Sequence, residues 1–285
     1  MRKVVLILSI ALFLAVTCTI TLAGVVPGAL LHLDASDNPK HPDGWKNLGT
    51  AGGELPAGDK TPELERGTIK IPDLGFTLQG AKFYTCKESL QTFGGPAGTN
   101  PELRLESWTF EALCKRNGDV LFKEHWMFGL SLTTWGGGFA GFLGAGRQKG
   151  GELFTTRPVR HKSHGINLEL GKWTWIAFMS DKSGSVFYQD GKEVDRDGPY
   201  VFPKALPVKF ICIFCGHYGD LDKPEEGRAR SFNGSFAVVR IYDKVLSANE
   251  VRGNISSQTA AVDPASKLTT AWGTLKAAAH RNQAE

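Results

Sequence analysis

The sequence lacks a strong excess of charge of either sign. Its 285 residues include 33 lysines and arginines and 29 aspartates and glutamates, which gives a formal net charge of +4. A protein that binds nucleic acid neutralises several phosphates at once and usually concentrates positive charge on one surface. The near balance of charges therefore argues against a nucleic-acid partner and against strong electrostatic binding to a membrane surface.

Apolar runs long enough to cross a membrane are missing beyond the N-terminal segment. In that segment, Arg2 and Lys3 precede an apolar run from Val4 to Val16, and a small-residue site follows at Thr21-Leu22-Ala23. This order is typical of a secretory signal peptide. We expect the segment to be removed and the mature chain to be secreted or held at the cell surface, with no transmembrane span.

Two alternatives to cleavage stay open. The apolar run could be retained as a membrane anchor, because about 20 apolar residues span a bilayer. A lipid anchor at Cys18 is the second alternative, although Thr17 occupies a place where lipoprotein signals usually have Gly, Ala or Ser. The run is short and no basic stop-transfer cluster follows it, which favours cleavage.

Helical periodicity is scarce, whereas glycine is abundant, with 34 residues. Frequent turns between short apolar segments are typical of an all-β protein. The sequence therefore predicts one large β-domain over residues 24–255, after a signal peptide at 1–23. Residues 256–285 are rich in Ala, Ser and Thr, and we expect a partly helical or disordered tail that serves either as packing surface or as a docking segment.

One stretch, Lys172–Val194, carries most of the information about the fold. Trp173–Met179 is aromatic and apolar on both faces of a period-2 pattern, which predicts a central strand. Ser180–Ser185 has the composition of a turn, and Val186–Gln189 forms the next strand. Asp190-Gly191 favours a type I′ turn, because both central residues of that turn need positive φ. Three strands joined by tight turns indicate a β-meander.

Four cysteines, Cys86, Cys114, Cys212 and Cys215, follow the signal peptide. An even number in an exported chain suggests one or two disulfides, with three possible pairings, and buried free thiols are the alternative. Cys212 and Cys215 look like half a metal site. However, the surrounding VKFICIFC reads as a strand, which would turn the two thiols to opposite faces.

Two segments together resemble a known family. The central hairpin of laminin G-like domains is similar to residues 171–194, GKWTWIAFMSDKSGSVFYQDGKEV. Their closing strand and helix resemble residues 232–251, FNGSFAVVRIYDKVLSANEV, in which Ser247 and Glu250 form a capping box at the start of the helix. The opening of bacterial members resembles LLHLDAS at residues 30–36 and GWKNLG at residues 44–49.

The resemblance implies an all-β fold, a concanavalin A-like jelly roll of two antiparallel sheets with a short C-terminal helix. It also implies secreted recognition of carbohydrate or protein, often with Ca²⁺. Many members have an acidic pair just before V-R-I-Y, but Ala237 and Val238 occupy those places here. Hard cations prefer carboxylates, so we expect no cofactor. Asp34 and Asp37 are the calcium candidates, with an Asx-turn as their alternative.

A catalytic pattern is present only in weak form. Glu193, Asp195 and Asp197 alternate as in the catalytic strand of jelly-roll glycoside hydrolases, which would place the three carboxylates on one face. However, the third residue is Asp, and Gly198-Pro199 follows at once. The segment is also an arm of the Asp190-Gly191 hairpin, so a solvated hairpin arm is the preferred interpretation.

Ligand binding is assigned to tryptophans beside polar residues and glycines, and to one basic segment. Sugar rings stack on exposed indoles, while core packing is the alternative for each tryptophan. The basic segment could meet an acidic glycan. The predicted ligand-binding residues are Trp45, Trp126, Trp135, Arg160, His161 and His164. The tryptophans expected in the core are Trp108, Trp173 and Trp175.

The leading hypothesis is a secreted or surface-exposed module that binds a glycan or an extracellular protein without catalysis. A polysaccharide-active glycoside hydrolase or lyase on the same fold is the alternative. A structural subunit of a surface assembly is a third possibility. Because one fold serves many functions, the sequence leaves the ligand open.

Overall fold

The computed structural model describes residues 25–37, 44–55, 63–85, 104–118, 125–131, 139–143, 152–156, 162–198, 206–207, 210–213 and 232–261. The chain divides into two compact units, Pro27–Val251 and the combination of Met1–Val26 with Arg252–Glu285. In the second unit, the backbone N–H of Val26 donates to Asn254 Oδ1 at 2.6 Å. The domain bounds of 24–255 stay a prediction.

Short strands make up most of the described chain. In chain order, the strands are β1 (Leu31–Asp34), β2 (Trp45–Lys46), β3 (Glu54–Leu55), β4 (Glu63–Ile71), β5 (Phe76–Thr85), β6 (Arg104–Leu105), β7 (Trp108–Arg116), β8 (His125–Ser131), β9 (Phe139–Leu143), β10 (Glu152–Thr156), β11 (Lys162–Asn167), β12 (Trp173–Asp181), β13 (Gly184–Gln189), β14 (Lys192–Asp197), β15 (Leu206–Pro207), β16 (Phe210–Ile213) and β17 (Gly234–Tyr242). A 3-10 helix covers Pro72–Leu74, and helix α1 covers Ala248–Ala261.

Two antiparallel sheets organise these strands. The large sheet has eight strands in the order β14-β13-β12-β7-β17-β5-β4, and β1 also pairs with β17. The small sheet has five strands in the order β11-β10-β9-β8-β16. Two further ladders join β2 to β3 and β6 to β15. The predicted β-meander is confirmed by β12, β13 and β14, which pair in sequence.

The two sheets enclose one hydrophobic core. Phe110, Phe178 and Ile241 come from the inner face of the large sheet, and Ile213 comes from β16 of the small sheet. The Phe178 ring stacks on Phe110 with 6.1 Å between ring centroids. Burial of apolar surface between the sheets is the main stabilising contribution to such a sandwich. The all-β jelly-roll prediction is confirmed.

The outer face of the large sheet is also buried in its central strands, β7, β12 and β17. The hairpin formed by β4 and β5 covers it, because Phe83 of β5 packs edge-on against Trp173 of β12 at 5.0 Å between centroids. Lys115 Nζ lies 5.0 Å from the Phe83 ring and 5.2 Å from the Trp173 ring. Trp108, Trp173 and Trp175 are all buried, as predicted. This double burial explains why the strands near Trp175 are apolar on both faces.

The turns of the meander follow the predicted chemistry. Asp190 and Gly191 both have positive φ, at 50° and 76°. The other turn is tighter than expected, because β12 extends to Asp181 and β13 begins at Gly184. Asp181 Oδ1 closes this turn by accepting a hydrogen bond from the backbone N–H of Ser183 at 2.7 Å.

The capping box at the start of α1 is confirmed. The Glu250 carboxylate accepts from the Ser247 N–H at 2.7 Å, and the Ser247 hydroxyl accepts from the Glu250 N–H at 3.2 Å. The helix continues to Ala261. Of the predicted tail, residues 262–285 lie outside the described residues.

Asn47 fixes the conformation of the GWKNLG segment. Its Oδ1 accepts hydrogen bonds from the backbone N–H groups of His32 and Gly49, each at 2.8 Å. Its Nδ2 donates to the carbonyl oxygens of Leu30 at 3.0 Å and Gly52 at 2.8 Å. The buried amide therefore uses both donor hydrogens and both acceptor lone pairs.

We predict that Asn47→Ala lowers the free energy of unfolding by about 2–4 kcal/mol, because orphaned buried polar groups cost about 1–3 kcal/mol each. Urea denaturation followed by tryptophan fluorescence measures this. Asn167→Ala is the matched control, since Gln189 contacts only the backbone of exposed Asn167. Equal stabilities of the two variants would contradict the role given to Asn47.

Candidate functional site

Two of the predicted ligand-binding residues lie in strands of the small sheet. Trp126 lies in β8, and His164 lies in the edge strand β11. Trp126 pairs in register with Phe142 of β9, and Phe142 pairs with Phe154 of β10. Phe154 pairs with Ser163, the neighbour of His164. We call Trp126, Phe142 and Phe154 the aromatic row, and Ser163 continues this row into β11.

A second cross-strand row indicates which face the aromatic row belongs to. Ile213 of β16 is completely buried in the core and pairs with Phe128, which pairs with Gly141. Gly141 and Phe142 are consecutive in one strand, so they belong to opposite faces of the pleated sheet. Trp126 and Phe128 are two positions apart in β8, but a β-bulge between them places them in different cross-strand rows. By backbone register, the aromatic row therefore belongs to the opposite face of the small sheet from Ile213.

Of the other predicted ligand-binding residues, Trp45 lies in the core and the rest lie outside the described residues. Trp45 is fully buried, and its ring packs against Tyr84 at 4.5 Å between centroids. Its indole is part of the hydrophobic core and offers no exposed face for stacking a sugar ring. The physical reason is the Asn47-centred loop, which holds Trp45 against the core. Trp135, Arg160 and His161 lie outside the described residues.

A buried ion pair crosses the middle of the large sheet. Arg240 of β17 and Glu111 of β7 are register partners, and Arg240 Nη1 donates to Glu111 Oε1 at 3.0 Å. Both side chains have zero exposure. The Arg240 guanidinium carbon lies 5.6 Å from the centroid of the Trp175 ring. The sequence pattern was not assigned to this pair, although a charged residue in the middle of each of these two largely apolar strands was a signal for it.

His32 lies beside this ion pair. It is the register partner of Arg240 in β1. Burial and the positive charge of Arg240 lower the pKa of His32 from 6.5 to about 4, although the negative charge of Asp34 opposes this shift. His32 is therefore neutral at physiological pH, which avoids a second positive charge next to Arg240.

A protein-family model matches the part of the chain that contains most of these strands. The family model described as the concanavalin A-like lectin/glucanase superfamily matches residues 97–252, more than half of the chain. The chain belongs to this laminin G-like family. The matched range includes the aromatic row, the buried ion pair and the meander, so the predicted resemblance is confirmed.

Solved structures with the same fold include a toxin domain and an enzyme. The botulinum neurotoxin serotype D binding domain has a TM-score of 0.52 and 12% identity, over 81% of this chain and 51% of that chain. Trypanosoma rangeli sialidase in complex with the inhibitor DANA has a TM-score of 0.51 and 14% identity, over 82% of this chain and 34% of that chain.

The laminin G-like chain thus spans about half of the toxin domain and a third of the sialidase. At such low identity, the likeness concerns the fold alone. Among curated proteins, no sequence matches the chain. No helix in the described part of the chain has the length and apolar character to cross a membrane.

The carboxylate alternation expected in β14 of the laminin G-like domain is wrong. A β-bulge shifts the register, so that Glu193 pairs with Tyr188 whereas Asp195 pairs with Phe187. Tyr188 and Phe187 are neighbours in β13 and belong to opposite faces. Glu193 and Asp195 therefore also belong to opposite faces, and the three carboxylates do not form one catalytic row.

Local contacts use the same carboxylates. Arg196 forms two hydrogen bonds of 2.9 Å with the Glu193 carboxylate, from Nε and Nη2. Asp195 Oδ1 accepts from the backbone N–H of Arg196, and Asp197 Oδ1 accepts from that of Gly198. These contacts fit the alternative interpretation of the segment as a solvated hairpin arm.

The calcium candidates form the predicted Asx-turn. Asp34 Oδ1 accepts from the backbone N–H of Ser36 at 2.8 Å, and the N–H of Asp37 donates to the Asp34 carbonyl at 3.2 Å. Burial and the nearby Asp34 raise the pKa of Asp37, while Lys82 opposes the shift. Across the described ranges, no three acidic, histidine or cysteine side chains are grouped as a metal site.

Cys114 is a free thiol in the core. Its Sγ donates to the Thr174 carbonyl at 3.7 Å, and burial raises its pKa well above the ordinary value. Two disulfides among the four cysteines are therefore excluded, and one disulfide among the other three stays a prediction. Cys212 lies in β16, whereas Cys86 and Cys215 fall outside the described residues.

We predict that Glu111→Gln destabilises the domain by about 3–5 kcal/mol, because it leaves the Arg240 charge buried without its carboxylate. Chemical denaturation measures the loss. Glu193→Gln, which breaks an exposed pair with Arg196, is the matched control and should change stability little. Small and similar losses of stability in the two variants would contradict the view that burial makes the Glu111–Arg240 pair important for stability.

We predict that His32 makes the domain less stable in mild acid. Its folded pKa of about 4 lies below the unfolded value of 6.5, so protonation favours unfolding as the pH falls through this window. The loss begins near the unfolded value and levels off below about 4. Urea midpoints at several pH values should show a shallower slope for His32→Gln than for the unmodified protein. Equal slopes for the two proteins would rule out protonation of His32 as the cause of the loss of stability in acid.

Proposed function

We propose that the protein is an exported recognition module that binds carbohydrate, without catalysis, on the outer face of the small sheet. The observation that carries this proposal is the in-register aromatic row of Trp126, Phe142 and Phe154. Adjacent strands lie about 4.8 Å apart, so three aromatic positions span about 10 Å. That length suits an extended ligand that crosses the strands.

The aromatic row also has the right chemistry for sugars. Aromatic rings present large apolar faces to the C–H groups of a sugar ring, and the indole adds a polar N–H. In the sequence, Arg160 and His161 immediately precede β11, which contains His164. A basic segment that adjoins the row in sequence favours a glycan that carries carboxylate or sulfate groups over a neutral one, although His164 itself follows Ser163 and belongs to the opposite face of the sheet.

Two observations favour binding over glycoside cleavage. Retaining cleavage needs two carboxyl groups about 5–5.5 Å apart on one side of the substrate. The bulge in β14 separates Glu193 from Asp195, and local hydrogen bonds occupy both carboxylates. The toxin domain of similar fold is described as a binding domain, which is in line with this choice. The basic, apolar N-terminal segment supports export to the cell exterior.

We predict that Trp126→Ala weakens glycan binding at least about tenfold, the effect of losing about 1.4 kcal/mol. The unmodified protein is first screened on an array of neutral and acidic glycans, and dissociation constants for the best glycan are then measured by calorimetry. Leu170→Ala is the matched control, because Leu170 is 57% exposed and lies outside the row. Circular dichroism checks that both variants are folded.

Two results would contradict this function. One is equal affinity of Trp126→Ala and the unmodified protein for every glycan bound. The other is turnover of a polysaccharide that is lost in folded Glu193→Gln, which would instead support the enzyme hypothesis. A screen against extracellular matrix proteins covers the protein-ligand alternative, and binding there with no glycan signal would also overturn the proposal.

A further inference from the structure

A guanidinium group is buried at one end of the sandwich core. Arg116, the last residue of β7, is only 8% exposed. Its Nε and Nη1 atoms are fully buried and have no hydrogen-bond partner in the described part of the chain. A buried charge is costly unless it is paired. Nε and Nη1 of Arg116 therefore call for hydrogen-bond acceptors that the described residues do not provide.

Two neighbours of Arg116 on the inner face, Phe232 and Cys114, are apolar. Arg116 pairs in register with Gly234 of β17. A Cβ atom at Gly234 would lie 2.1 Å from the Phe232 ring, so this ring fills the space next to Arg116 on the same face. Cys114, two residues earlier on that face, is fully buried. A low-dielectric setting of this kind strengthens the attraction between the guanidinium and any anion beside it.

A second polar group lies on the neighbouring strand. Thr174 of β12 is the register partner of Cys114, which makes it the diagonal neighbour of Arg116 on the same face. Its Oγ1 is fully buried and also lacks a partner among the described residues. Diagonal pairs in antiparallel sheets are about 7–8 Å apart along the backbone, so the two side chains are near neighbours on this face.

The donor chemistry decides which group fits. A guanidinium has only donor hydrogens, and a threonine hydroxyl can donate one more. The complementary group must therefore accept hydrogen bonds, and the uncompensated positive charge selects a negative acceptor. We propose that Arg116 and Thr174 bind one small monoanion, chloride or a carboxylate, inside the end of the sandwich. This site is separate from the aromatic row.

The test measures thermal unfolding of the full chain while sodium chloride or sodium acetate replaces sodium Hepes at constant ionic strength. Because a ligand of the folded state stabilises it by mass action, the midpoint should rise with chloride or acetate and then saturate. A response to acetate but not chloride assigns a carboxylate ligand, and the reverse assigns a halide. A midpoint that does not change with either anion overturns the proposal.

Variants then locate the effect. Arg116→Met removes the charge at similar length and should abolish the dependence on the anion. Arg66→Met, at an exposed position in β4, is the control and should retain it. Thr174→Val should shift the response to higher anion concentration. An undiminished response in Arg116→Met would show that the anion binds elsewhere.

A direct measurement keeps the proposal testable if Arg116→Met does not fold. Crystals of the unmodified protein soaked in sodium bromide should show an anomalous difference peak beside the Arg116 guanidinium. Bromide should also raise the unfolding midpoint of the unmodified protein. Where chloride raises the midpoint, a soaked crystal without that peak, or with bromide only at surface lysines, would reject the site. Where only acetate raises it, crystals soaked in sodium acetate are examined instead, and the absence of carboxylate density beside Arg116 would reject the site.

Discussion

The burial of both faces of the large sheet is the constraint on which the other features depend. Its inner face packs against the small sheet, and its outer face is covered by the hairpin of β4 and β5. A charged side chain that is fully buried in the central strands reaches no solvent and must find its partner within the protein. Glu111 and Arg240 meet this requirement by pairing across β7 and β17. The central strands of the large sheet therefore offer no exposed face to a ligand.

The fold was largely predictable because its evidence is local. Trp173–Met179, the Asp190-Gly191 turn and the Ser247–Glu250 capping box each depend on residues that are near one another in sequence. The structure confirms each of them. Family resemblance added the two-sheet architecture, which local pattern alone does not specify.

The features that escaped prediction depend on non-local contacts. The bulge that separates Glu193 from Asp195 is a property of how β14 pairs with β13, and period-2 counting assumes that no bulge is present. The burial of Trp45 follows from the four hydrogen bonds of Asn47 and not from the residues beside the indole. The pairing of Glu111 with Arg240 joins strands separated by more than a hundred residues. Of the predicted ligand-binding residues outside the core, the structure describes only Trp126 and His164, and it describes them by their positions in strands.

The pairing of β17 has a consequence for how the protein folds. This strand lies between β7 on one side and both β1 and β5 on the other, and Leu31 pairs with Ile241. Contacts of such large sequence separation give a high contact order, and the entropy of closing long loops slows their formation. Until β17 is in place, β1, β5 and β7 present unpaired strand edges. We therefore expect the laminin G-like domain to fold slowly, and to be most exposed to aggregation in the period before β17 inserts.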